Sequence, residues 1–241
     1  MNVFEHHRAR NTFQDWSTAD CKTFFPSFSN NLVVTPDITY QNKEGFSDYK
    51  GKTLMLVGGG PSANNDWDSR EYDYLWSINH FFKNEKLKNM QVHLAMIMGE
   101  PDITSEDFLS YRDLHQTYVG FEIHDRWLQH SFDNYSNYFC MHTRFYGRLG
   151  AGARMKIFAA QLGFDKVLFT GFDGPEAIFD GDHAFEPGKT TLPGVFQNLR
   201  VDNVSYFWKN QYDYLWEYLH TLYPNTKFVN IGGGEKYHEK A

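Results

Sequence analysis

A short apolar run that breaks into three consecutive glycines, Leu54-Met-Leu-Val-Gly-Gly-Gly-Pro-Ser62, constrains this chain more than any other stretch. Leu54 to Val57 have the length and composition of a strand buried on both faces, which predicts an α/β sheet rather than a solvated antiparallel one. Gly58, Gly59 and Gly60 lack a Cβ, so the backbone can turn sharply and a ligand can approach its N–H groups closely. Pro61 suits the first turn of a helix and Ser62 can cap one. The expectation is that the amides after the glycines point into the crevice at the carboxyl edge of the sheet, where an anion is welcome. The spacing is neither G-x-G-x-x-G nor G-x-x-x-x-G-K-[ST], so the dinucleotide and Walker fingerprints do not apply.

With 241 residues, 41% of them hydrophobic, the chain can bury a real core and reads as one domain, 51–241, preceded by an irregular extension over 1–50. A net charge of -7 argues against a broad contact with a nucleic-acid backbone. The apolar runs are too short for a membrane span, and the polar amino terminus predicts no secretory signal. Two cysteines, Cys21 and Cys140, stand far apart outside any C-x-x-C spacing. They support neither a disulfide scaffold nor a structural zinc site, and a reducing cytoplasm fits best. His6 and His7 lack further ligand spacing, so no metal is expected.

Strand signals recur along the chain at Leu32–Thr35, Tyr74–Ile78, Val92–Met98, Tyr118–Ile123, Tyr138–His142, Lys166–Thr170 and Lys227–Ile231. Helix signals fall at Thr104–His115, with Thr104 or Ser105 as the cap, at Ala153–Leu162 and at Asn203–Tyr223. Strands and helices alternate, which predicts a Rossmann-like, mostly parallel sheet flanked by helices. In such sheets ligands bind at the carboxyl ends of the strands. Asn79 ends the second strand there, and its amide suits a pyrimidine edge or a ribose hydroxyl. Gly150 and Gly152 form a second glycine-bearing turn, beside which Arg148 can grip a phosphate through two parallel hydrogen bonds. Asp173 follows another strand end. The stretch from Asp180 to Glu186 is dense in groups suited to acid–base chemistry or to a divalent ion, and the loop after it reads as a lid.

The order strand, Gly-x-Gly-Pro-Ser, strand ending in Asn, then Arg-x-x-x-Gly, helix, Leu-Gly, strand, Gly-x-Asp resembles the small bacterial sialyltransferases of lipooligosaccharide synthesis. It also resembles the wider hydroxymethylpterin pyrophosphokinase-like (MptE-like) family. The match spans Thr53 to Phe82 and Arg148 to Phe185. The sialyltransferase resemblance implies a domain that binds a cytidine-monophosphate sugar and transfers the sugar without a metal or a tightly bound cofactor. By position, Gly58, Gly60, Pro61 and Ser62 match the nucleotide loop, Asn79 the asparagine after the second strand, and Arg148 and Gly152 the second turn. Gly59 departs from a nucleotide-binding asparagine, Ala151 from a serine, and Gly174-Pro175 from a phosphate-binding tyrosine. Where that family has its catalytic histidine, before the last helix, this chain has Asn203, Ser205 and Phe207.

Two enzyme readings and one binding reading follow. A nucleotide-sugar glycosyltransferase acting on surface-polysaccharide precursors would use His183 as the base, with Asp173 as runner-up. A magnesium-dependent diphosphotransferase would use Asp173, Asp180 and Asp182. A non-catalytic nucleotide-binding protein would keep the fold and lose the chemistry. A glycan or small-molecule acceptor is the implied partner, and a homo-oligomer is compatible with the sequence.

Overall fold

The computed structural model describes residues 32–34, 39–41, 49–97, 102–122, 138–141, 151–173, 183–186, 215–216 and 219–232. Seven strands form one sheet: β3 (Thr53–Val57), β4 (Tyr74–Ile78), β5 (Leu94–Met96), β6 (Tyr118–Glu122), β7 (Tyr138–Met141), β8 (Lys166–Thr170) and β9 (Lys227–Asn230). Their spatial order is β7-β6-β5-β4-β3-β8-β9 and every neighbouring pair is parallel. From β3 the chain steps outward one way through β4 to β7, and β8 then starts the other flank. Strand order therefore reverses between β3 and β8, and the crevice at a parallel sheet's carboxyl edge opens at such a reversal.

The central strand shows why the sheet is sandwiched. Leu54, Met55, Leu56 and Val57 have no exposed surface, and because side chains alternate along a strand they serve two cores. Leu54 and Leu56 pack in a cluster with Trp76, Met155, Phe158 and Phe169. Met55 and Val57 pack on the opposite face with Trp67, Phe81, Phe108 and Phe121. Each such aromatic, fully buried, contributes about 1.5–3 kcal/mol.

Among the described residues, two helices of ten residues or more cover the faces. In α1 (Glu106–His115) the Ser105 side chain caps the first turn by accepting from Phe108 N at 3.4 Å, with Glu106 and Asp107 favourably placed at the positive end of the dipole. The helix stops at Gln116, whose φ of 53° is left-handed. Phe108 and Tyr111 are its buried residues. Helix α2 (Ala151–Leu162) is buried at every position from Ala151 to Ala160, so its sequence is apolar nearly all round. A helical segment at 215–216 and 219–222 joins the same core, where Trp216 stacks on Phe169 at 6.0 Å.

Several expectations are corrected. The glycine run leads into a single 3₁₀ turn, Pro61–Asn64, not an α-helix, and Gly60 rather than Ser62 is its cap. A hairpin strand β2 (Thr39–Gln41), too polar to read from sequence, pairs antiparallel with β1 (Leu32–Val34). β5 is shorter than the apolar run around it. Most of the expected helix at Asn203–Tyr223 lies outside the described residues, as does most of the 1–50 extension.

Candidate functional site

β3 and β8 run in register from Thr53↔Lys166 to Val57↔Thr170, so they end level and their loops meet. Gly58 N donates to Thr170 O and Gly60 N to Gly171 O, both at 2.8 Å. Ser62 N donates to Asp173 Oδ2 at 3.0 Å. The Ser62 hydroxyl oxygen accepts from Gly171 N at 2.8 Å and from Thr170 Oγ1 at 3.1 Å. The loop amides expected to greet an anion are thus mostly engaged by the chain itself. Of the N–H groups from Gly58 to Ser62, Gly59 alone makes no hydrogen bond among the described residues.

The other edge of the loop is held by residues 183–186. Ala184 N donates to Gly59 O at 2.9 Å. The His183 ring lies so close over Gly59 that a Cβ there would meet its Cε1 and Nε2 at 2.6 Å. Close approach explains a glycine at that position: any side chain would occupy the space of the imidazole. Opposite, the Phe172 ring fills the gap between Gly58 and Gly152, where a Cβ on either would strike it. Phe172 therefore brings the amino end of α2 against the glycine loop.

Residues 183–186 are in turn pinned by the turn that follows β4. Asn84 Nδ2 donates to Ala184 O at 2.9 Å. Glu186 Oε1 accepts from Lys83 Nζ at 2.8 Å, and its Oε2 lies 3.2 Å from His80 Nδ1. Its own N–H donates to His183 O at 3.1 Å. Asn79, at the end of β4, is half-buried, with a left-handed φ of 48° and its N–H on Met96 O at 2.9 Å. Residues of the turn after β4, His80, Lys83 and Asn84, are thus tied to the 183–186 segment that edges the glycine loop.

Hydrogen bonding sets the tautomers. His183 Nδ1 accepts from Phe185 N at 3.1 Å, so the neutral ring carries its proton on Nε2. The nitrogen edge over Gly59 is therefore a donor, whereas the residue pattern alone suggests a base at His183. Asp173 is tied to the loop through Ser62 and serves to hold it.

Beneath Phe172, Lys156 of α2 is fully buried, its Nζ 4.0 Å from the Phe169 ring centroid, 4.5 Å from Phe172 and 5.5 Å from Trp216. The rings favour the cation and burial opposes it. Burial pushes the ammonium down from 10.5 to about 7.

Of the residues singled out by sequence, Gly58, Gly59, Gly60, Pro61, Ser62, Gly152, Asp173 and His183 are brought together around one loop, and Asn79 ends the neighbouring strand. Arg148, Gly150, Asp180 and Asp182 lie outside the described residues. His80, Lys83 and Asn84 join the site without having been singled out by sequence, and Glu186, the end of the stretch that the sequence marks, joins them. For His80 the available signal is its place directly after the asparagine that ends β4.

No protein-family model matches the chain, and no curated protein matches its sequence. A solved structure described as the sialyltransferase CstII from Campylobacter jejuni in complex with a substrate analogue, cytidine-5'-monophosphate, is similar over 76% of this chain and 81% of that one. The TM-score is 0.52 and the sequence identity 15%. At that identity the likeness is one of fold, an α/β parallel sheet flanked by helices. Among the described residues no helix is long and apolar enough to cross a membrane.

Proposed function

We propose that this protein is a cytoplasmic, sialyltransferase-like glycosyltransferase that takes a CMP-sugar as donor and acts on surface-polysaccharide precursors. The observation that carries the reading is the reversal of strand order between β3 and β8, with the Gly59 amide, His183 and Asn79 gathered at the same carboxyl edge. A fold neighbour whose description names a CMP complex supports the choice of nucleotide. In this reading the Gly59 N–H and the His183 Nε2–H donate to the donor phosphate. Such donors, fixed before the reaction, stabilise the charge that grows on a leaving phosphate. Asn79 reads the pyrimidine or the ribose, and Arg148 neutralises the departing nucleotide.

The test is a thermal-denaturation panel of CMP, UDP, GDP, ATP and their sugar conjugates, with and without magnesium. CMP compounds at a hundred times their dissociation constant are expected to stabilise by ~2.7 kcal/mol, independently of magnesium. Arg148→Ala is expected to abolish the shift. Silence from CMP compounds together with a shift from ATP and magnesium would transfer the protein to diphosphate transfer.

A further inference from the structure

We propose that Asp173 binds the ribose of the nucleotide, its Oδ1 accepting a hydrogen bond from a ribose hydroxyl while its Oδ2 holds the glycine loop. The inference rests on the nucleotide-binding reading above. It places phosphate and ribose on two sides of one loop and leaves the pyrimidine to Asn79.

The chain after β8 follows the glycine loop closely. Gly60 N donates to Gly171 O, Gly171 N donates to the Ser62 hydroxyl oxygen, and the Phe172 ring lies against Gly58. One residue further on, the Asp173 carboxylate reaches Gly60, where an added Cβ would strike its Oδ2 and meet its Cγ at 3.1 Å. Adjacent residues of an extended segment face opposite ways. The loop obeys this rule: Gly59 faces the His183 imidazole and Gly60 faces the Asp173 carboxylate.

An ionised carboxylate can only accept, and its two oxygens have room for about four hydrogen bonds. Asp173 fills one of these places, because Ser62 N donates to Oδ2 at 3.0 Å. Among the described residues it has no further hydrogen bond and no ion pair. Glu186, the carboxylate on the other side of the loop, is in contrast engaged at both oxygens. Lys83 Nζ lies 2.8 Å from its Oε1 and His80 Nδ1 3.2 Å from its Oε2. Asp173 is only partly buried, and it stands at the carboxyl end of β8, beside the reversal of strand order where parallel sheets bind ligands. A negative charge there repels a phosphate and attracts a hydroxyl. The ribose of CMP is one methylene from the phosphate and carries two adjacent hydroxyls. With the phosphate on the Gly59 N–H, it is the part of the nucleotide that reaches the next residue of the loop.

The test is a calorimetric titration of the full-length wild type and Asp173→Asn with CMP and with its 2′,3′-dideoxy analogue. Asparagine keeps an oxygen for Ser62 N and puts an amide nitrogen in the place of Oδ1. The wild type is expected to bind CMP about 10–100-fold more tightly than the dideoxy compound, the range for a hydrogen bond to a charged group. In Asp173→Asn that preference is expected to fall to within about threefold, through loss of CMP affinity alone. A wild type indifferent to the hydroxyls, or a preference unchanged in Asp173→Asn, overturns the assignment while nucleotide binding stands. Equal losses for both compounds also overturn it, since Asp173 would then only hold the loop. A preference kept in Asp173→Asn while CMP release from a CMP-sugar is lost would overturn it in favour of a proton-accepting role. A wild type that binds neither compound removes the nucleotide reading, and this proposal with it. Carbon-13 NMR of the wild type needs no variant: the Asp173 carboxyl signal is expected to move with CMP and not with the dideoxy compound. Equal movement with both refutes the ribose contact.

Discussion

Gly171→Ala is expected to destabilise the protein by about 2–6 kcal/mol, combining the strain of a left-handed residue with that of an overpacked contact. Gly171 has a φ of +74°, and a Cβ there would land on the carbonyl group of Gly58. That neighbour is backbone, so no rotamer change relieves the clash. The two loops would have to separate and break the 2.8 Å bonds from Gly58 N to Thr170 O and from Gly60 N to Gly171 O. Gly163 is the natural control, because it has a φ of +87° but nothing within 4 Å of an added Cβ. Gly163→Ala is expected to cost only about 1–2 kcal/mol, the left-handed penalty alone. Urea denaturation of both variants decides the matter. Equal losses would mean that the β3 and β8 loops are not locked together.

Replacing Lys156 by Met is expected to change how stability depends on pH. In the folded state burial holds the Lys156 ammonium down at about 7, against 10.5 in the unfolded chain. Between these values the unfolded chain binds the extra proton and the folded one does not, so wild-type stability rises with pH through this window. The burden is complete below pH 7 and gone above 10.5. Methionine has nothing to titrate and fills a similar volume. The stability advantage of Lys156→Met over wild type should shrink by roughly 5 kcal/mol from pH 7 to 10.5, since each pH unit between the two values is worth about 1.36 kcal/mol. The absolute offset is smaller, because Met also forfeits the attraction of the Phe169, Phe172 and Trp216 rings. A difference between the two proteins that stays flat across that window would show that Lys156 is not held neutral by burial.

The sheet was legible because its central strands are covered on both faces. β3, β4 and β8 are continuous apolar runs with sharp ends, and β8 begins at Lys166 and ends at Thr170, as the sequence predicts. The capping of α1 was equally local: Ser105, Glu106 and Asp107 sit together in the chain and in the first turn. The glycine loop was located correctly and its hydrogen bonding was not. Ser62 reads locally as a cap, yet its hydroxyl is claimed by Gly171 and Thr170 from over a hundred positions away. The same distance hid the cluster around Glu186, which joins Lys83 across 103 positions. The sequence marks Glu186 only as the end of the Asp180–Glu186 stretch, and nothing local names Lys83 as its partner. His183 stands out in the sequence, but its tautomer depends on the Phe185 N–H, a matter of backbone geometry that residue types do not encode.

The most direct test of a nucleotide site at the β3–β8 reversal is a CMP titration followed by amide and imidazole NMR signals. Saturable shifts at the Gly59 amide, the His183 ring and Asn79, with the β1–β2 hairpin unmoved, are the expected result. No saturable shift, or shifts confined to residues remote from the glycine loop, would contradict it.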